Sequence, residues 1–228
     1  MSGTSTPLRG HFIVLEGLDR TGKSTQCDLL VRAIDDKVRG VHASCSATKS
    51  WKFPERTTAL GQLIDRYLRK EIELGDSKGK AIHLLFSANR WECSQEIESL
   101  LASGISVVCD RYAFSGLAFS MAKGLEEEYL LTPDKGLPLP DLTLFLTLSE
   151  EESKLRGGFG EERYEQTSFQ SLVAQQFRHV RDRFISQHGS DRWVDIDAQG
   201  SIEDVQDRIW KVVSRSLEKD GVRGELWV

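Results

Sequence analysis

No stretch of the chain is apolar for the roughly 20 residues that a membrane-spanning helix needs, so no membrane partner is expected. The opening residues, Met1 to Arg9, are polar. They carry neither the apolar core of a secretory signal nor the arginine-rich pattern of a transit peptide, and residues 1–10 read as a disordered lead-in. Cysteine is sparse. Cys27, Cys45, Cys93 and Cys109 are scattered without a C-x-x-C pair, which disfavours a disulfide framework or a zinc site. Free thiols suit a reducing compartment, and the expected location is the cytoplasm or the nucleus. The five histidines show no metal spacing. Positive charge is not in excess: Lys and Arg number 30 against 35 Asp and Glu, a net charge of −5. That disfavours a nonspecific nucleic-acid partner, although local arginines can still hold an anion. No Ser-His-Asp or Cys-His arrangement is evident. The N-K-x-D element by which regulatory GTPases read guanine is also missing; D-x-x-G is matched at Asp76 and Asp197, among other places, and is too short to inform.

What is present is an alternation of strand and helix patterns, the signature of a parallel sheet in an α/β fold. Phe12 to Leu15, Ile105 to Cys109 ending on Asp110, Leu142 to Leu148 and Trp193 to Ile196 read as strands. Helical spacing carries Leu29, Leu30, Val31 and Ile34, then Leu60, Leu63, Ile64, Tyr67 and Leu68. A long helix is expected over Ala81 to Ser103, stopped by Gly104, and a final one over Ile202 to Leu217. Val41 to Ser50 is serine-rich and its strand cannot be placed. No interior linker divides the chain, so residues 11–228 read as one domain. Arg156-Gly157-Gly158-Phe159-Gly160 reads as a mobile loop hinged on its glycines.

Between the first strand and the first helix stands Gly17-Leu18-Asp19-Arg20-Thr21-Gly22-Lys23-Ser24, a full G-x-x-x-x-G-K-[ST] phosphate loop followed by Thr25. Its glycines let backbone N–H groups approach a polyphosphate, and the following helix adds a favourable dipole. Lys23 would reach the β- and γ-phosphates, and the Ser24 hydroxyl would hold Mg²⁺. Asp110, closing a strand of Ile, Val and Val, is a candidate second ligand near that ion; the bland alternative is a helix cap. An arginine fork suits a phosphate dianion, and a phenylalanine one turn before an arginine could stack on a base while the arginine bonds its edge. Phe53-Pro54-Glu55-Arg56 and Leu85 to Glu92 both crowd charge with aromatics. Phe86 and Trp91 lie in an apolar helical face; Trp91 reads as core, and Glu126 to Glu128 as a solvated face.

These pieces together resemble the thymidylate kinases, most closely those of eukaryotic type, over residues 11–228. The matching elements are GLDRTGKST (17–25), FPER (53–56), LLFSANRWE (84–92), DRYAFSG (110–116), GLPLPD (136–141), RGGFGEERYE (156–165) and GELW (224–227). An arginine commonly precedes FPER; Lys52 stands there. The resemblance implies a P-loop nucleoside monophosphate kinase fold, with a parallel sheet flanked by helices on both faces and a mobile lid near residues 156–165. It implies phosphoryl transfer from ATP to dTMP with Mg²⁺, within dTTP biosynthesis. By resemblance, Asp19 contacts the acceptor sugar and Arg20 the transferring phosphoryl group. Arg56 and Arg111 grip the dTMP phosphate, Phe86 stacks on thymine and Arg90 bonds its edge. Tyr164 lies against the deoxyribose, Gln170 near the acceptor and Arg156 on the adenine of ATP, with Glu162 in the lid. Phe53 and Ser115 belong to the same acceptor set. A homodimer through the helices between Ala59 and Ser103 is also implied. A broader deoxynucleotide kinase that accepts dUMP is the rival reading, and an inactive homologue is disfavoured by the presence of Lys23, Ser24, Arg20 and Asp110.

Overall fold

The computed structural model describes residues 9–39, 48–75, 78–149, 152, 163–164 and 166–228. Five parallel strands form one sheet: β1 (Phe12–Gly17), β2 (Thr48–Lys52), β3 (Ser106–Asp110), β4 (Leu142–Thr147) and β5 (Trp193–Asp197), in the order β2-β3-β1-β4-β5. β1 is buried along its whole length because both of its faces are covered, which is why it reads as an unbroken apolar run. Its side chains alternate between two cores. Phe12 and Val14 enter one, with α3 (Lys80–Ala102), α4 (Ala113–Met121) and α6 (Thr167–His188); Ile13 and Leu15 enter the other, with α1 (Lys23–Arg39) and α7 (Ile202–Ser216). Two shorter helices are α2 (Ala59–Leu68) and α5 (Glu127–Leu131), and α2 packs on α3 in a third cluster around Ile64, Tyr67 and Ile82.

This bears out the expected fold class. The serine-rich segment 41–50 overlaps β2 (Thr48–Lys52), an edge strand, only at its last three residues; residues 40–47 lie outside the described residues. The expected core position of Trp91 is corrected: its ring is 41% exposed and its Nε1–H donates to the Pro133 carbonyl at 2.7 Å. The terminal GELW element packs into the body. Leu226 N–H donates to the Leu137 carbonyl, and Trp227 lies edge-on to Phe114.

The helices after β1 and β3 lie on opposite faces, so the carboxyl ends of these two neighbouring strands open a crevice at the topological switch point. The register sets Leu15 beside Asp110, and Asp110 beside Lys52. The phosphate loop and the Asp-Arg-Tyr triplet therefore meet across the crevice.

Candidate active site

At the loop after β1 the Lys23 ammonium is 6% exposed, and it donates to the Leu18 carbonyl at 2.5 Å and to Thr21 Oγ1 at 3.3 Å. Burial, then the nearby Arg111 charge, pushes its pKa down to about 8 against the pull of Asp110, Asp19 and Glu16. The Ser24 hydroxyl donates to Asp110 Oδ2 at 2.5 Å. Burial alone would raise the Asp110 carboxyl, but Lys23, Arg111, the Ser24 hydrogen bond and Lys52 outweigh it and hold the group below its ordinary value. Lys52 reaches the same spot, with Nζ at 3.2 Å from Ser24 Oγ and 3.4 Å from Asp110 Oδ2.

These groups fit a magnesium ion. Asp110 Oδ1 is buried and has no hydrogen-bond partner among the described residues, and its neighbour is a hydroxyl oxygen. Mg²⁺ takes oxygen ligands and keeps several waters, so one or two protein oxygens beside substrate phosphates suffice.

Beside the loop opens a cavity of about 450 Å³, within the range of small-molecule sites. The expected acceptor residues Asp19, Phe53, Arg56, Phe86, Arg90, Arg111, Ser115 and Tyr164 converge on it, with Arg20, Gly22, Lys23, Ser24, Thr25 and Asp110 from the donor and metal set. Gln170 stands behind them. Its Nε2 donates to Asp19 Oδ2 at 2.7 Å and to the Tyr164 carbonyl at 2.9 Å, while its Oε1 accepts from the Asp19 N–H at 3.3 Å. Gly17, Leu18 and Thr21 do not line this cavity: the Gly17 and Leu18 carbonyls accept from Arg111 and Lys23, while Leu18 and Thr21 line a smaller cavity against α6. Arg156, Gly157, Gly158, Gly160 and Glu162 lie outside the described residues.

Arg20 and Arg111 share a backbone feature that the sequence does not announce. Each has φ 68°, in the left-handed region where a side chain is strained by about 1–3 kcal/mol and where such strain clusters at functional sites. The Arg111 guanidinium bonds Asp19 through Nη2, and its Nη1 donates to the Gly17 carbonyl and to Ser115 Oγ, each at 3.0 Å. Arg56 pairs with Asp65 of α2.

Sequence reasoning missed the supports. Glu16, fully buried at the end of β1, accepts from the N–H groups of Tyr112 and Ser115 at 2.9 and 3.0 Å and from Ser115 Oγ at 2.6 Å. Its carboxylate thus satisfies amides at the start of α4, which would otherwise be orphaned, and sits near Arg111. Burial raises its pKa, against that arginine and those hydrogen bonds. A charged residue inside an apolar strand was the available signal. Asn89 holds the FPER loop, accepting from the Glu55 N–H at 2.8 Å and donating to the Glu55 carbonyl at 3.2 Å. Gly61 of α2 lies so close to that loop that a Cβ there would fall 1.7 Å from the Glu55 oxygen. Lys123 donates to the Tyr164 hydroxyl at 2.7 Å and lies 4.2 Å from its ring centre.

A phosphate-loop motif at one end of a cavity that also carries Arg56, Arg90 and Arg111 suits transfer from one nucleotide to another. The class this fold and site define is the P-loop nucleoside monophosphate kinases. Comparison with known proteins narrows the class. The thymidylate kinase family model matches residues 15–209. The thymidylate kinase of Schizosaccharomyces pombe is 47% identical over 206 residues, covering 90% of this chain and 92% of that protein. That of Danio rerio is 45% identical over 222 residues, covering 96% and 98%. The solved thymidylate kinase of Candida albicans superposes with a TM-score of 0.82 at 38% identity, covering 96% of this chain and 99% of that one. The chain belongs to the thymidylate kinase family, and it is an enzyme of that kind.

Proposed function

We propose that the enzyme transfers the γ-phosphoryl group of ATP to dTMP, giving ADP and dTDP, with Mg²⁺ as cofactor. The observation that carries this reading is the continuity between the phosphate loop and the arginine-lined cavity, which share Asp19, Arg20, Lys23 and Arg111 at their junction. Ser24 and Asp110 hold the metal, which when bound screens the charge of the polyphosphate. Lys23, buried and held by the loop's own carbonyl, places its charge on the β- and γ-phosphates. Arg20, on a strained backbone at the cavity's edge, meets the phosphoryl group in flight; little covalent chemistry is required, so positioning and charge neutralisation carry the rate. Arg56 and Arg111 hold the acceptor phosphate, and Asp19, fixed by Gln170, meets the acceptor sugar. Phe86 stacks on the base, Arg90 bonds its edge and Tyr164 faces the deoxyribose, with Phe53 and Ser115 lining the same subsite. Gly17 to Thr25 cradle the donor, Arg156 packs on its adenine, and the segment 156–165 closes over both nucleotides to exclude water. Residues 11–228 act as one kinase domain, working as a homodimer in the cytoplasm or nucleus, with neither nucleic acid nor membrane as partner. Among the described residues, no helix is long and apolar enough to cross a membrane.

The test is release of ADP from ATP and dTMP, with and without Mg²⁺. Formation of dTDP that stops when the metal is chelated supports the reading; metal-independent turnover, or none, overturns it. A broader acceptor range that includes dUMP is the second reading. The Candida albicans relative, described as having broad substrate specificity, gives it weight.

Lys23 gives the reaction a pH dependence. Its folded pKa of about 8 lies below the ordinary lysine value, so its charge is present below that pH and lost above it. Because kcat/KM reports groups of the free enzyme, kcat/KM for ATP is expected to be level below about pH 8 and to fall as pH rises through it. A profile level across that range would contradict the assignment.

A further inference from the structure

We propose that Asp134, 44 residues from Arg90 in sequence, is a positioning residue for recognition of the acceptor base; the proposal rests on Arg90 reading that base. Asp134 ends a short 3-10 turn (Thr132–Asp134), and its carboxylate takes two of the three guanidinium nitrogens. Arg90 Nε–H donates to Oδ1 at 3.2 Å, and Nη2 donates to Oδ1 at 2.9 Å and Oδ2 at 2.6 Å. Both side chains are almost wholly buried, 3% and 2% exposed. Among the described residues Nη1 has no protein acceptor, while Arg90 lines the cavity. One nitrogen with two N–H groups is therefore left for a ligand.

The turn is held as firmly as the arginine. Ser87, Arg90 and Trp91 lie on one face of α3, three and four residues apart. Ser87 Oγ donates to Asp134 Oδ1 at 2.6 Å and lies 2.9 Å from the Pro133 carbonyl, to which Trp91 Nε1–H donates at 2.7 Å. On the other side Gly116 leaves room for the guanidinium: a Cβ there would come within 3.1 Å of both Nη1 and Nη2.

Two consequences follow for specificity. A guanidinium offers only donors, so a fixed Nη1 accepts a base edge bearing a carbonyl and rejects one bearing an amino group. Asp134 also offsets the Arg90 charge, so the base meets a directed N–H donor rather than an uncompensated cation. In Asp134→Asn the amide N–H₂ faces a guanidinium donor in either orientation, Nη2 from the Oδ2 position or both Nε and Nη2 from the Oδ1 position, so the two-point hold on Arg90 is lost.

The experiment compares kcat and KM for dTMP and dCMP in the full-length enzyme, its Asp134→Asn variant and its Arg90→Met variant. Asp134→Asn is expected to raise the dTMP KM about tenfold, to leave kcat within about threefold, and to lower the dTMP-over-dCMP ratio of kcat/KM about tenfold. A merely structural role would reduce both acceptors alike through kcat, and that result, or unchanged values, overturns the proposal. If Arg90→Met leaves KM and the ratio unchanged, the base reading itself fails; if it moves them and Asp134→Asn does not, only the role of Asp134 falls. Should Asp134→Asn not fold, Ser87→Ala replaces it. Removing that hydroxyl from Oδ1 is expected to raise the dTMP KM about threefold and to lower the ratio, since the aspartate's aim is loosened but its charge is kept. No movement in either would overturn the proposal.

Discussion

Replacing Arg20 by alanine is expected to lower kcat by about a thousandfold or more while changing the KM of either nucleotide only a few-fold. The reason is where the side chain stands. It leaves the phosphate loop and lines the cavity, where the proposed reaction puts its guanidinium on the phosphoryl group in transfer. A contact that strengthens in the transition state appears in kcat, whereas one made equally to bound substrate appears in KM. The backbone supports a selected geometry, because φ 68° is tolerated here although the residue is not glycine. Arg20→Gly separates the two contributions. It is expected to lose as much kcat as Arg20→Ala while folding at least as stably, since glycine relieves the left-handed strain. Steady-state kinetics and thermal melts of both variants check this; a large KM change with kcat intact would remove Arg20 from the transferring phosphoryl group.

The second large effect falls on Asp110. Asp110→Asn keeps the volume and one acceptor for Ser24 but removes a buried negative charge that faces Lys23, Arg111 and Lys52. We expect kcat to drop by about 10²–10³ and the Mg²⁺ concentration for half-maximal activity to rise. Direct titration with Mn²⁺, followed by its paramagnetic signal, should show weaker metal binding in the presence of ATP. Unchanged metal affinity would return Asp110 to a purely structural role at the end of β3.

What the sequence disclosed, and what it concealed, follows from the range of the interactions. The phosphate loop is legible because its glycines and lysine encode a local backbone shape. β1 and β3 are legible because strands covered on both faces become continuous apolar runs. β2 escapes because Trp51 is its one large apolar side chain, among Thr48, Lys49, Ser50 and Lys52. α6 carries Phe169, Val173, Phe177, Val180 and Phe184 at spacings of four, four, three and four, a helical period that the sequence holds although the expected elements do not include it. α4 shows no amphipathic stripe because it is enclosed on nearly every side. Of the site, the motif residues Asp19, Lys23, Arg56, Phe86, Arg90 and Arg111 converge on one cavity. Their supports were not legible: Glu16 reaches Ser115 across 99 residues and Asp134 reaches Arg90 across 44, and such pairings are created by the fold rather than by any local pattern. Trp91 misled because an indole on an apolar helical face reads as core until its N–H is seen holding the Pro133 carbonyl.

The central claim, that this cavity selects thymine on a deoxyribose monophosphate, is tested most directly by comparing kcat/KM for dTMP, dUMP, dCMP, AMP, GMP and the ribonucleotide of thymine at saturating ATP and Mg²⁺. The account predicts that dTMP leads. The ribonucleotide should be disfavoured by Tyr164, and dCMP disfavoured at Arg90. Comparable turnover of all six acceptors would contradict the assignment of Phe86, Arg90 and Tyr164 to base and sugar recognition.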